Sequence, residues 1–243
     1  AIEFKNVNFT YPDTGIKALK NINFKMKEGS TLGIFGKTGC GKSTIANLIC
    51  RVYDTESGAI YLGENQLEKL NLKLLRKEIG YVPQDGYLFS GTVEENISFS
   101  SDQINRAKIE QVAATAEITT DIMKFSNQYE TLVGERGVQL SGGQRQRIAI
   151  ARAIYKSPSI FIFDDCLSAV DSNKEQKILT NLKKETQKRT TIIISHRISA
   201  IQNADLILVL EDGEIKEKGK HHELLESKGF YYSIFKKQNK KRT

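Results

Sequence analysis

The sequence predicts an α/β fold: a mostly parallel sheet, an antiparallel β-subdomain at the start and a helical subdomain inserted in the middle. Three observations carry this expectation. Apolar residues alternate near the beginning. Short continuous apolar runs such as Ile160–Phe163 are separated by helical periodicities, as in a sheet covered on both faces. Between about Tyr87 and Ser157 the chain has helical spacing and no convincing strand. With 243 residues there is enough chain for one domain with a sizeable core. The expected division is a β-rich core over 1–86 and 158–243, with a helical subdomain over 87–157.

Ile2, Phe4, Val7, Phe9 and Tyr11, then Ile22, Phe24 and Met26, read as antiparallel strands with turns at Pro12-Asp13 and Glu28-Gly29. Thr31–Phe35 is a strand. Ile45, Leu48, Ile49 and Val52 recur at i, i+3, i+4 and i+7, one face of a helix. Strands follow at Ile60–Leu62 and Ile79–Val82. Helices are expected over Ile104–Ala116, Thr119–Phe125 and Gly142–Tyr155. The strand and helix rhythm resumes with Ile160–Phe163, a helix near Lys174–Thr186, Thr191–Ile194, a short helix and Leu206–Leu210. Glu211-Asp212-Gly213 is a hairpin turn into Glu214–Lys218.

The composition, 39% hydrophobic and 27% charged, is that of an ordinary globular protein. The longest apolar runs are too short to span a bilayer, and no signal-peptide pattern opens the sequence. Net charge is +7, with nine Lys/Arg and three Glu lying from Lys216 to Thr243. That concentration reads as a solvated basic tail, with a nucleic-acid patch or contact with an anionic membrane surface as the alternatives. Cys40, Cys50 and Cys166 are odd in number and have no metal-type spacing, which fits a reduced compartment.

The stretch Gly36-Lys37-Thr38-Gly39-Cys40-Gly41-Lys42-Ser43 satisfies G-x-x-x-x-G-K-[ST] between a strand and a helix. Its glycines let the backbone curl so that N–H groups converge on an anion, and the following helix adds its positive end. Lys42 reaches phosphates, Ser43 offers a hydroxyl to Mg²⁺, and Thr44 completes the ATP-binding set. Cys40 is a small residue lending its N–H. Asp164 and Asp165 end a buried apolar run, where carboxylates are costly without a cation or hydrogen bonds. In a phosphate-loop protein the acid at that place holds Mg²⁺, which assigns Asp164 to the metal.

Leu140-Ser141-Gly142-Gly143-Gln144 starts a Ser-capped helix with glycine-exposed N–H groups, another anion site. Together with the phosphate loop it resembles the ATP-binding cassette (ABC) family over essentially the whole chain, which implies a P-loop NTPase core that binds ATP and Mg²⁺. The resemblance implies that Tyr11 stacks on adenine. Gln84 would contact Mg²⁺ and link to a transport domain, and His196 would contact the γ phosphate. Ser141, Gly142, Gly143 and Gln144 would serve a nucleotide held by a second chain. Ser168-Ala169-Val170-Asp171 resembles the loop that speaks across the dimer. Taken singly, Tyr11 reads as a core strand aromatic, and Gln84 and His196 as ordinary polar residues. His221-His222 suggests a metal, but GKHHELL is similar to a structural turn of the family. The segments Leu88–Ile97 and Val133–Gly137 resemble those that meet the transmembrane part in the exporter branch, the multidrug, peptide and lipid type.

One departure stands out. The family usually has Glu after the magnesium Asp, as the base that polarises attacking water; here it is Asp165, one methylene shorter. This resembles the catalytically deficient half of a heterodimeric exporter, whose partner would carry Glu; a homodimer is the alternative. The resemblance further implies a transmembrane domain fused upstream of Ala1, a place on the cytoplasmic face of the inner or plasma membrane, and no nucleic-acid partner. The competing class is a soluble ABC protein acting on nucleic acid or ribosomes, supported only by the basic tail. The signature motif sets aside a phosphate-loop kinase.

Overall fold

The computed structural model describes residues 1–99, 101, 103–134 and 138–240. In chain order the first half holds β1 (Ile2–Thr10), β2 (Lys17–Met26), β3 (Thr31–Gly36), α1 (Lys42–Ile49), β4 (Ser57–Leu62), β5 (Asn65–Gln66), α2 (Leu72–Lys77) and β6 (Ile79–Val82). Next come β7 (Gly91–Thr92), α3 (Val93–Ser98), α4 (Arg106–Thr115), α5 (Thr119–Ile122), β8 (Leu132–Val133), α6 (Gly142–Tyr155), β9 (Ile160–Asp164) and α7 (Ser172–Glu185). The last part is β10 (Thr190–Ile194), α8 (Ile198–Ile201), β11 (Leu206–Glu211), β12 (Glu214–Gly219), α9 (His221–Glu226) and α10 (Phe230–Lys240). Two compact units result, one of Ala1–Ile79 with Lys188–Thr243 and one of Gly80–Gln187.

In the first unit, β2-β1-β4-β5 form the antiparallel sheet expected at the start. Phe4 pairs with Phe24 across β1 and β2, and their rings stack at 4.5 Å. A second sheet runs β12-β11-β3-β10. Leu32 and Ile34 of β3 lie opposite Ile192 and Ile194 of β10 in parallel register, and β11 pairs with β3 the same way. These β-branched and leucine residues are buried, as a strand covered on both faces requires. The β11–β12 hairpin turns through Asp212 and Gly213, both at positive φ.

Two expectations need correction here. Val52 does not extend the face of α1: the helix stops at Ile49, Arg51 takes a left-handed φ of 48°, and Val52 is 53% exposed. A left-handed residue ends a helix whatever the periodicity beyond it. The basic tail is also not simply solvated. Within it, α10 sends Tyr231 fully into a core with Phe35, Ile198, Ile201 and Leu224, against which Phe230, Ile234 and Phe235 pack. Lys241, Arg242 and Thr243 lie outside the described residues.

The second unit is mainly helical, with β9 beside β6 and the two-residue pair β7–β8, too short to leave a periodic signal. It includes β9 and α7, so it extends on both sides of the 87–157 stretch that helical spacing marks off. Three of its helix starts are side-chain capped as follows: Thr92 and Glu95 form a capping box on α3, Asn105 caps α4, and Ser141 with Gln144 boxes α6. Of the segments that resemble the transmembrane contact, Glu135, Arg136 and Gly137 lie outside the described residues.

Asn96 holds this unit's aromatic corner. It is 1% exposed; its amide donates to Phe89 O (2.9 Å) and Thr92 O (3.0 Å) and accepts from Phe89 N (2.9 Å) and Arg152 Nη2 (2.8 Å). Burial pushes the Arg152 guanidinium down to about 10, so it depends on such acceptors. Asn96→Ala strands several buried polar groups and is expected to cost about 3–5 kcal/mol. A urea-unfolding midpoint matching the unsubstituted chain would contradict this role.

Candidate functional site

In the first unit, β3 delivers the chain to Gly36, whose neighbour on β11 leaves no room for a side chain: a Cβ there would run into the Leu210 carbonyl. From this tight start the loop reaches α1. Lys42, the first residue of α1, is 9% exposed, and its Nζ donates to Gly36 O (2.9 Å) and Lys37 O (2.7 Å). A buried ammonium resting on neutral carbonyls is a fit for a polyphosphate, which would supply the opposite charge. Ser43 is exposed beside it, and Thr44 is buried. The Cys40 N–H donates to Lys37 O at 3.3 Å, closing the loop on itself. Burial pushes the Cys40 thiol up, against the pull of the Lys42 charge, leaving a small neutral lining.

Tyr11 and Thr44 are brought together, Tyr11 Oη to Thr44 Oγ1 at 2.9 Å. The Tyr11 ring is half-buried and meets Phe9 and Tyr53 edge-on, at 5.0 and 5.6 Å. Tyr53 extends this aromatic group and was not singled out from the sequence, because a lone aromatic past a helix end carries no pattern. His196 follows β10 and is exposed.

In the second unit, Asp164 ends β9 at 3% exposure and accepts from Tyr81 Oη at 3.2 Å. Asp165 is half-buried at a left-handed φ of 47°, and its carbonyl accepts from Ser168 N at 3.2 Å. Among the described residues no three His, Cys, Asp or Glu gather as a metal cage. A cation beside Asp164 would draw on that one carboxylate, on water and on its ligand's phosphates. Such a donor set suits Mg²⁺.

The signature residues start α6. Gln144 N donates to Ser141 Oγ (3.2 Å) and Ser141 N to Gln144 Oε1 (2.9 Å). Gln144 Nε2 also donates to Asp121 Oδ1 at 3.0 Å. The Gln144 amide is therefore committed to building the helix start. Ser141 Oγ, used as an acceptor, can still donate its proton, and the first N–H groups of the helix have no partner within it. A Cβ on Gly143 would lie 2.9 Å from Ala169 O, so glycine lets this helix start approach the 168–171 loop. Asp171 caps α7, its Oδ1 accepting from Lys174 N at 2.9 Å.

Two supports of this group escaped sequence reasoning. Gln146, 4% exposed, donates to Gln84 O (2.9 Å) and accepts from Ala169 N (3.2 Å), joining the Gln84 turn to the 168–171 loop; the Gln84 side chain itself is exposed. Asp121 receives Arg147 Nη1 at 2.7 Å as well as Gln144. Burial works to raise its carboxyl, but the hydrogen bonds from Arg147 and Gln144 win and hold it below the usual range. Polar residues inside an amphipathic helix pattern give no sign of partners so distant in sequence.

A model of the ABC transporter family matches residues 19–168. The chain is 44% identical over 242 residues to human ATP-binding cassette sub-family B member 5, covering 99% of this chain and 19% of that protein. It is 44% identical over 238 residues to the ATP-dependent lipid A-core flippase of Escherichia coli K12, covering 98% of this chain and 41% of the flippase. A bacterial Atm1-family ABC exporter solved with ATP bound matches with a TM-score of 0.94 and 40% identity, over 98% of this chain and 42% of that one. This chain thus spans only 19% to 42% of the length of these three proteins, and it has the P-loop NTPase fold with an antiparallel β-subdomain and a helical subdomain. The chain belongs to the ABC transporter family.

Proposed function

We propose that this chain is the ATP-binding and ATP-hydrolysing motor domain of an exporter, closing with a second such domain around Mg-ATP to drive transport. The observation that carries the reading is the buried Lys42 ammonium, held on the carbonyls of Gly36 and Lys37 at the start of α1. Gly36 to Thr44 hold the phosphates through backbone N–H groups, the ammonium and the hydroxyls, and Tyr11 receives the adenine. Ser43, Asp164 and Gln84 are the residues that would hold Mg²⁺, which when bound neutralises charge on the phosphates. His196 contacts the γ phosphate. Asp165 takes the proton from attacking water, slowly because it is short. The start of α6, with Ser141 and Gly143, completes the site of the partner chain, and the Asp171 loop faces that partner.

Contact with a fused transmembrane domain is supported by the second unit's surface. A cleft of about 650 Å³ is lined by Gln84, Tyr87, Gly134, Leu140 and Arg145 among others. Tyr87 is 63% exposed nearby, and Phe89 stacks on Phe99 at 4.0 Å. No helix among the described residues is long and apolar enough to cross a membrane. The spanning part is assigned to that other domain, with this one on the cytoplasmic face. The partner is proposed to be a Glu-bearing chain.

Lys42→Ala is expected to weaken Mg-ATP binding by roughly tenfold or more, the worth of a charge-assisted contact to phosphate. Tyr11→Ala should weaken it through loss of the adenine platform and of the bond to Thr44. Titration with a fluorescent ATP analogue checks both, and unchanged affinity in the two variants would remove the assignment.

A further inference from the structure

The C-terminal helix α10 reaches two parts of the proposed nucleotide site from within the same unit. At its start, Glu217 of β12 accepts from Phe230 N (2.6 Å) and Tyr231 N (3.3 Å), satisfying N–H groups that open the helix. Tyr231 is fully buried, bonded to His221 Nδ1 at 2.8 Å, and its ring meets Phe35 edge-on at 5.8 Å, one residue before the phosphate loop. Lys37 Nζ, in that loop, lies 5.4 Å from the centre of the Phe230 ring. This end of α10 is thereby fixed against the root of the phosphate loop.

Two turns further along, about 12 Å at the usual rise, Gln238 grips the chain around His196. Its Nε2 donates to His196 O at 2.7 Å, and its Oε1 accepts from Ile198 N at 2.9 Å. The short helix α8 begins at Ile198 with no side-chain cap from its own N-cap residue, Arg197, so Gln238 supplies the cap from another helix. The same turn is anchored by Ser195 N on Ile34 O (3.1 Å) and Arg197 N on Ser195 Oγ (3.0 Å), and Ile198 is buried beside Tyr231. The His196 side chain is exposed on this held backbone.

We infer that Gln238 is a positioning residue for His196, and that α10 braces the His196 turn against the phosphate loop so that the imidazole is presented to the γ phosphate. This rests on the reading of His196 as the γ-phosphate contact. A single amide that donates to the carbonyl of His196 and accepts the N–H two residues on fixes both ends of the turn at once. Without it the turn keeps its core anchor at Ile198 but loses the restraint on the carbonyl of the residue that must point outward. A misplacement of about 1 Å is enough to spoil a contact of this kind.

The test compares ATP with ADP, which lacks the γ phosphate, so that slow turnover does not matter. Gln238→Met keeps length and packing but removes both bonds; His196→Ala removes the contact itself. Each is titrated with Mg-ATP and Mg-ADP, alone and combined. His196→Ala is expected to weaken ATP binding about tenfold and Gln238→Met roughly three- to tenfold, with ADP affinity unchanged in both. In the His196→Ala background, Gln238→Met should add nothing. Gln238→Met losing ADP and ATP affinity together would mean general loosening and overturn the proposal. So would an effect that persists without His196, or no effect from Gln238→Met where His196→Ala has one; that last result would leave the γ-phosphate role of His196 standing. If His196→Ala leaves ATP binding unchanged, the role of His196 fails and the positioning role with it.

Discussion

Ser141→Arg in this chain should lower ATP hydrolysis at a Glu-bearing partner's site by on the order of 10²–10³, the usual worth of a donor aimed at developing phosphate charge. ATP binding to this chain's own phosphate loop should be unchanged. Ser141 is exposed at the start of α6, so an arginine there needs no core rearrangement. The cost to the fold is the capping box with Gln144, about 1 kcal/mol. The cost to function is larger, because a bulky cation replaces a hydroxyl at the helix start that the partner's nucleotide would face. Turnover of the mixed pair, read beside nucleotide titration of this chain, separates the two. If mixed-pair turnover were unaffected, the idea of a site shared between chains would be wrong.

Much of the fold was legible because its elements carry period and punctuation. The bounds of α6, Gly142–Tyr155, are those expected, since a Ser cap and a run of apolar residues mark them. The parallel strands were readable from buried β-branched runs, and the phosphate loop from glycines that its backbone cannot replace, as at Gly36. What escaped falls into two kinds. Elements of two residues, β7 and β8, are too short for a pattern, while α3 and α10 had one that went unread: the Thr92–Glu95 capping box, and Phe230, Tyr231, Ile234 and Phe235 on a helical repeat. The other kind is polar pairing at long range. Gln146 to Gln84, Tyr81 to Asp164 and Gln238 to His196 join residues 62, 83 and 42 positions apart. No local spacing announces such a partner; only the folded chain brings it within hydrogen-bond reach. Gln144 and Asp171, read as facing a second chain, are found with side-chain groups engaged in helix capping, each with a partner three residues away.

Asp165→Glu is expected to raise hydrolysis at this chain's own site, by as much as about a hundredfold, because the carboxylate regains the reach it lacks. Asp165→Asn should lose little, since little base catalysis remains to lose. The backbone adds a second expected effect. Asp165 sits at a left-handed φ of 47°, a conformation that Asp tolerates better than longer acidic side chains, because its carboxyl can bond locally. Glutamate there should therefore cost stability, up to about 1 kcal/mol, while restoring rate. A small fall in melting temperature together with faster turnover would be the joint signature. The opposing possibility is that Asp165 already acts as a full base and the chain works as a homodimer. Asp165→Asn would then cost on the order of the 10²–10⁴-fold typical of a general base, and Asp165→Glu would bring strain without gain. Single-turnover hydrolysis by the three forms, each paired with a hydrolysis-dead partner, decides between them. A large loss in Asp165→Asn with no gain in Asp165→Glu would overturn the assignment as the slow half, because a base held out of reach of its water cannot matter that much.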